Sequence, residues 1–161
     1  TEDAAIELSE AGMLLHPVDG PHVPAVEMRE TPIDLILATP RPQRVKSLLP
    51  HIAALGVRTL VFLRAEKVER NYMENGVLGP ARRNDLRDLL LDGLEQASVA
   101  TRIPDVIIEP RFKSFFEDRV QDFIAGAVPI ILHPDRDGSV TPSLLEAVKD
   151  ALPGQRVVLL I

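Results

Sequence analysis

Cysteine and tryptophan are both absent from this 161-residue chain, and aromatic residues make up only 4% of it. Without cysteine, the sequence excludes a disulfide framework, a thiolate zinc site and a cysteine nucleophile. Its apolar runs are all far shorter than the roughly 20 residues needed to span a bilayer. The formal net charge of −6 argues against coating a nucleic acid with the whole surface, but it leaves room for a local basic patch.

Two common nucleotide-binding signatures are also missing. The first long apolar run is followed by Ala38-Thr39-Pro40-Arg41-Pro42, where a dinucleotide-binding domain would have Gly-x-Gly-x-x-Gly. No Gly-Lys-Ser/Thr sequence is present for a P-loop. A dehydrogenase and a P-loop nucleotide hydrolase are therefore disfavoured. The four histidines have no metal-ligand spacing, so we predict no metal site: His16, His22, His51 and His133.

Five short apolar runs are nearly continuous rather than alternating, which is typical of strands buried on both faces. They are Ile33–Ala38, Leu60–Leu63, Val106–Ile108, Val128–Leu132 and Val157–Ile161. Segments with helical spacing lie between them, and this alternation favours right-handed crossovers. We therefore predict an α/β fold with a mostly parallel sheet flanked by helices. The side chains expected to be largely buried are Leu35, Leu37, Val61, Leu63, Ile107, Ile130, Ile131, Val158 and Leu160.

The helices are predicted from apolar spacing and from their end signals. The first should bury Val45, Leu48, Leu49, Ile52 and Leu55, stop at Gly56, and be kinked or shortened at Pro50. The longest is marked by Leu86, Leu89, Leu90, Leu94 and Ala97. The spacing between Phe112 and Ile124 predicts one further helix. The last should begin at Thr141-Pro142 and bury Leu144, Leu145, Val148 and Leu152.

The first 32 residues follow a different pattern. Ala4–Leu8 and Met13–Val18 predict two strands joined by a turn, which is a hairpin rather than a βαβ unit. Residues 19–32 contain three prolines without periodicity and predict a linker. We therefore divide the chain into the end of an N-terminal β domain (1–18), a linker (19–32) and a main domain (33–161).

A basic segment follows the second strand. The connection Arg64–Pro80 is long, and long connections in compact domains often carry function. Its cations and those of the next helix are candidate phosphate contacts: Arg64, Lys67, Arg70, Arg82 and Arg83. The alternative is a solvated surface in which nearby acids pair with these cations: Glu66, Glu69, Glu74 and Asp85.

A candidate ligand site lies where the fourth run ends, at Leu132-His133-Pro134. Open parallel sheets bind ligands at the carboxyl ends of their strands. In the alternative interpretation, His133 and Pro134 simply end the strand.

Several segments together resemble the RsmE-type ribosomal RNA methyltransferases in order and spacing. These are Leu35–Pro42, Ala54–Val57, Glu95-Gln96, Arg102–Val106, Arg111–Lys113 and Leu132–Pro134. The resemblance covers about residues 33–161, and residues 1–18 fit the end of the family's small N-terminal barrel.

The resemblance implies a fold, a reaction and partners. Members have a PUA-like barrel and a SPOUT domain with a C-terminal trefoil knot, through which they form homodimers. They transfer a methyl group from S-adenosylmethionine to N3 of a uridine in small-subunit ribosomal RNA. That transfer needs the imide proton displaced, the nitrogen aligned with the methyl sulfonium and water excluded. The residues implied to lie at the cofactor are Leu132, His133, Pro134, Leu160 and Ile161.

The sequence departs from the family pattern at several positions. Ala54 replaces a usual glutamate, and Gln43 stands where a lysine is common, with Lys46 one turn later. Residues 97–100 replace a stretch with glycine and arginine. These changes suggest a divergent branch, eukaryotic or organellar. We expect a cytoplasmic protein, with the chloroplast or mitochondrion as the alternative.

The family's Gly-Pro-Glu-Gly-Gly turn and its knot-closing segment are not in this sequence. We therefore expect the chain to be an incomplete portion whose catalytic residues lie elsewhere. Alone, it should be inactive and bind S-adenosylmethionine no better than about millimolar. One alternative is a non-catalytic RNA-binding or ribosome-assembly factor on the same fold. A weaker one is a small-molecule enzyme on a Rossmann-like sheet.

Overall fold

The computed structural model describes residues 4–9, 12–17, 31–97, 100, 102–133 and 142–161, with side chains from residue 31 onward. Strand β1 (Ala4–Ser9) pairs with β2 (Gly12–Pro17) in antiparallel register, with Ala4 opposite Pro17. The predicted hairpin is confirmed. Its assignment to a separate N-terminal domain stays a prediction, and most of the predicted linker lies outside the described residues.

The main sheet contains five parallel strands. They are β3 (Ile33–Ala38), β4 (Thr59–Leu63), β5 (Asp105–Glu109), β6 (Val128–Ile131) and β7 (Val157–Leu160). The spatial order is β5-β4-β3-β7-β6, so β7 lies between β3 and β6. All five predicted strands are confirmed, as is the parallel α/β fold. Within β6 the expected burial of Ile131 is wrong, because this edge-strand side chain is 70% exposed.

Helices α1 (Pro42–Ala54) and α3 (Arg83–Glu95) cover one face of the sheet. Val45, Leu49 and Ile52 of α1 and Leu90 of α3 pack in one core with Leu60 of β4. A short helix, α2 (Asn71–Glu74), lies in the long connection and buries its Met73 in the same core. These contacts explain why the apolar spacing located α1 and α3 correctly.

The predicted end of α1 is confirmed in part. Gly56 has a φ of +74°, the left-handed conformation that glycine adopts freely. The helix continues through Pro50 to Ala54, so proline does not shorten it. Leu55 was expected on the buried face, but it follows the last helical residue and is 70% exposed.

The second face of the sheet is covered by the segment from Phe112 to Ile124, which was expected to be a single helix. It is divided into α4 (Phe112–Ser114), a π-helical turn (Phe115–Arg119) and α5 (Val120–Ile124). Phe115 and Val120 are both buried against this face. In a regular α-helix, residues five apart differ by about 140° in direction. The wider π turn allows both side chains to face the sheet.

Helix α6 (Leu144–Val148) is shorter than predicted and ends before Leu152, which was expected on its buried face. Its N-cap is Ser143, whose Oγ accepts a hydrogen bond from the Glu146 amide at 3.2 Å. The expected cap, Thr141, lies outside the described residues. The expected burial of three leucines is wrong, because the helix is too short to form a continuous apolar face. Leu144, Leu145 and Leu152 are 49%, 79% and 72% exposed.

Asp34 joins three neighbouring strands at their amino ends. Its side chain is completely buried in β3. It accepts two hydrogen bonds from Arg58, at 3.0 and 2.8 Å, and one from Arg156 at 2.9 Å. Arg58 immediately precedes β4, and Arg156 immediately precedes β7. One carboxylate therefore holds the start of β3 to both of its neighbours.

Burial acts to raise the pKa of Asp34, but hydrogen bonds from Arg58, Thr59 and Arg156 outweigh it. The pKa in the folded state therefore lies below the ordinary value of 3.8. A lowered carboxyl pKa stabilises the folded state fully above the unfolded-state pKa. That contribution is lost as the pH falls through the folded-state pKa.

The Asp34→Asn substitution should lower the free energy of unfolding at pH 7 by about 2–4 kcal/mol, because two arginines lose their shared carboxylate. Urea unfolding measures the loss, and the difference from wild type should shrink below about pH 4. The matched control is Asp105→Asn, which breaks an exposed pair with Arg102 and should cost under about 1 kcal/mol. Equal losses in the two variants would contradict the central role of Asp34.

Gly93→Ala tests the close approach of α3 to α1. A Cβ atom at Gly93 would lie 2.1 Å from the Pro50 carbonyl oxygen. Alanine normally stabilises a helix by about 1 kcal/mol relative to glycine, but here the helices must separate, at a cost of about 1–3 kcal/mol or more. We expect a net loss of stability in urea unfolding. The exposed neighbour Asp92→Ala should be neutral or stabilising, and a stabilised Gly93→Ala variant would contradict this packing.

Candidate functional site

The five strands end along one side of the sheet, which we call the carboxyl edge. There the Leu132 amide donates to the Leu160 carbonyl at 2.8 Å, and the Ile161 amide donates to the Ile36 carbonyl at 2.9 Å. The Ala38 amide in turn donates to the Ile161 carbonyl at 2.9 Å. The ends of β3, β6 and β7 are thus joined in one continuous ladder.

The structure brings four of the five predicted cofactor residues together on this ladder. Leu132 and Ile161 are 39% and 52% exposed, His133 is exposed and Leu160 is half-buried. Together the strand ends present an apolar wall to solvent. Pro134 lies outside the described residues. The role of these residues at a cofactor stays a prediction.

A groove of about 940 Å³ opens at the carboxyl edge between the ends of β4 and β5. We call it the β4–β5 groove. Its polar lining contains the cations Arg64, Arg111 and Lys113 and the acids Glu66, Glu117 and Asp118, with the ring of Phe112 beside them. Of these residues, only Arg64 is a phosphate contact predicted from the sequence. Arg111 and Lys113 lie in a segment that carries the family resemblance.

Glu109, the last residue of β5, holds the two sides of the groove together. Its backbone carbonyl accepts from the Arg64 amide at 3.0 Å, and its Oε1 accepts from the Arg111 amide at 3.1 Å. Its Oε2 accepts a short hydrogen bond from Arg119 in the π turn. The Glu109 side chain is 8% exposed. In the sequence, the only sign of this role is an acidic residue at the end of an apolar run, and its partners are not adjacent to it.

The other predicted RNA contacts lie outside the groove lining. Arg70 is bonded to Glu74 at 2.6 Å and Arg82 to Asp85 at 2.8 Å, both on the exposed surface. The hydrogen bond from Arg70 to Glu74 raises the pKa of that guanidinium. Lys67 and Arg83 are exposed. For Arg70 and Arg82, the geometry is the one expected of a solvated surface with local acidic partners.

No group of three or more His, Cys, Asp or Glu side chains in the described part of the chain could hold a metal ion. No helix there is long and apolar enough to cross a membrane.

Residues 27–161 match the RNA methyltransferase domain family. The chain belongs to this family. A curated relative, ribosomal RNA small subunit methyltransferase E of Treponema pallidum, is 27% identical over 84 residues, which are 52% of this chain and 30% of that protein. These matches confirm the resemblance to the RsmE type that the sequence had suggested.

Solved structures share the fold at low sequence identity. A probable rRNA methyltransferase from Porphyromonas gingivalis has a TM-score of 0.53 at 20% identity, covering 98% of this chain and 60% of that one. The putative methyltransferase Lpg2936 from Legionella pneumophila, solved with bound SAM, has a TM-score of 0.52 at 20% identity, covering 98% and 59%. The chain thus spans about 60% of these structures, which share its α/β fold.

Glu109→Ala should free the Arg111 amide while leaving the Arg64 amide bonded to the backbone of residue 109. A hydrogen bond to a charged acceptor contributes about 1.5–3 kcal/mol, so we expect Arg111 to exchange its amide proton about tenfold faster. Hydrogen exchange measured by NMR gives the ratio of the two amides in one sample. Any general loss of stability affects both amides and cancels in this ratio. An unchanged ratio would show that Glu109 does not hold residue 111.

Proposed function

We propose that this chain is the main part of the catalytic domain of an S-adenosylmethionine-dependent methyltransferase, which methylates N3 of a uridine in small-subunit ribosomal RNA. The observation that carries the proposal is the family match over residues 27–161. It is supported by the name of the Treponema relative and by the SAM found in the Legionella structure of the same fold.

The carboxyl edge suits such a cofactor chemically. A nucleoside needs apolar surface for its base and backbone groups for the polar rim of that base. The exposed side chains of Leu132 and Ile161 supply apolar surface, next to the backbone of His133 where the β6 ladder ends. Strand ends are rigid because the sheet fixes them, so they hold a bound group in a constant position.

The cofactor and the protein would make different contributions to methyl transfer. When bound, S-adenosylmethionine supplies a methyl group on a positively charged sulfur. The residues of this chain would bind the cofactor against the strand ends, keep water from that apolar wall and hold the RNA phosphates. The imide proton of the uridine must also leave N3, and we assign no residue of this chain to that step.

The partners follow from the same proposal. Small-subunit ribosomal RNA is the substrate, and Arg64, Lys67, Arg70, Arg82 and Arg83 remain the proposed surface contacts around it. Arg70 and Arg82 would exchange their exposed acidic partners for phosphates on binding. We also propose that the complete protein is a homodimer. The exposed Leu144, Leu145 and Leu152 support this, because leucines concentrated in one segment commonly mark a surface covered by a partner.

The full-length protein should bind S-adenosylmethionine in calorimetric titration and form 3-methyluridine in small-subunit RNA, detected by mass spectrometry of nucleosides. Ile161→Asp should weaken cofactor binding at least tenfold, because it places a carboxylate on the apolar wall. The control is Leu55→Asp, another exposed apolar residue but distant from the carboxyl edge, which should bind normally. RNA binding without methylation would instead favour the ribosome-assembly factor.

A further inference from the structure

We propose that the β4–β5 groove binds an unpaired stretch of the substrate RNA, with Arg64 and Arg111 on its phosphates and Phe112 stacked on one base. This binding site rests on the proposed function and assigns the RNA contacts to named residues. Of these, only Arg64 was among the contacts expected from the sequence.

Among the described residues, Arg64 and Arg111 combine a free guanidinium with a place in the lining of the groove. Within the described part of the chain, neither guanidinium has an ion-pair or hydrogen-bond partner, although both line one groove. Arg119 and Arg156, by contrast, are bonded to buried carboxylates. Unpaired guanidiniums that converge on a concave surface are well placed to bind phosphate oxygens with two hydrogen bonds each.

Their positions are fixed by Glu109. Arg64 follows the end of β4 and Arg111 follows the end of β5, and both backbone amides are bonded to this one residue. Glu109 is a positioning residue here, because its carboxylate is occupied by Arg111 and Arg119 and does not face the ligand. The separation of the two arginine-bearing segments is therefore set by the sheet.

Phe112 supplies a flat apolar surface beside the cations. Phe112 is 46% exposed, although its ring lies 4.5 Å from the ring of Phe116. Phe116 in turn meets Phe115 edge to face at 5.6 Å, and Phe115 is buried in the core. Three rings thus connect the core to the groove, and the outermost is available for stacking. Aromatic rings next to cations are the usual arrangement for binding unpaired RNA.

The acidic side chains of the groove favour unpaired RNA over an RNA duplex. Glu66, Glu117 and Asp118 share the lining with the cations and would repel a continuous phosphate track. Lys113 is paired with Glu117 at 3.6 Å and contributes little free charge. A duplex would present its phosphates to the acids and keep its bases stacked away from Phe112. The groove therefore suits one or two unpaired nucleotides.

The test measures binding of the full-length protein to fluorescein-labelled ten-nucleotide oligouridylate and to a ten-base-pair RNA duplex. Fluorescence anisotropy is recorded across a range of salt concentrations. Arg64→Gln with Arg111→Gln should weaken single-strand binding at least tenfold at low salt. Each lost phosphate contact should also reduce the slope of log K against log salt by about 0.7.

Phe112→Leu keeps an apolar side chain but removes the ring. It should weaken oligouridylate binding about tenfold, leave the salt slope unchanged and leave duplex binding unchanged. The control for charge is Arg102→Gln, since Arg102 is an exposed arginine before the start of β5, at the opposite edge of the sheet. It should bind both RNAs as wild type does. Thermal melting confirms that each variant is folded.

Wild-type affinity and salt slope in the double arginine variant would overturn the proposal. So would equal losses on duplex and single strand in Phe112→Leu. The proposed function is judged separately, by the binding of S-adenosylmethionine to the same proteins. The groove variants should keep wild-type cofactor affinity. A wild-type protein that binds oligouridylate through this groove but binds no cofactor would refute the methyltransferase while leaving the groove intact.

Discussion

A single buried carboxylate sets the arrangement of the sheet. Asp34 is excluded from water and bonded to the arginines that precede β4 and β7, so the three central strands start at a common level. Burying a charge is costly unless its partners are well placed, and here two of them share it. Parallel strands that start in register also end in register, and the ladder at the carboxyl edge depends on that alignment.

Each edge of the sheet has a buried carboxylate bonded to arginine: Asp34 at the amino edge and Glu109 at the carboxyl edge. At the amino ends, the buried carboxylate of Asp34 is bonded to the partly exposed side chains of Arg58 and Arg156. At the carboxyl edge, one carboxylate oxygen of Glu109 accepts from the Arg111 amide and the other accepts from Arg119. The guanidiniums of Arg64 and Arg111 remain available to a ligand. The amino edge thus holds a fully paired carboxylate, whereas the carboxyl edge carries the groove proposed to bind RNA.

The sequence predicted the strands well because each is a continuous apolar run, and burial on both faces requires that pattern. It could not predict the pairing of Asp34 with Arg156, since nothing local links residues 122 positions apart.

The π turn is not predicted by the sequence, because Phe112–Ile124 also fits helical spacing. Leu144 and Leu145 are apolar but exposed, so apolar spacing alone does not predict their burial. At the site, strand ends located Leu132 and Ile161, whereas Arg111 and Phe112 required the geometry of the groove.

The position of β7 has a consequence for how the chain folds. This strand is inserted between β3 and β6, although both precede it in sequence. During synthesis, β3 and β4 can pair early, and Arg58 can reach Asp34 at once. The other side of β3 pairs with β7, which is synthesised more than a hundred residues later. Until then, the backbone groups on that side of β3 are unpaired and Ile36 is uncovered. Such non-local pairing is slow, and an unpaired central strand invites association with other chains. The newly made domain should therefore depend on chaperones until β7 is in place.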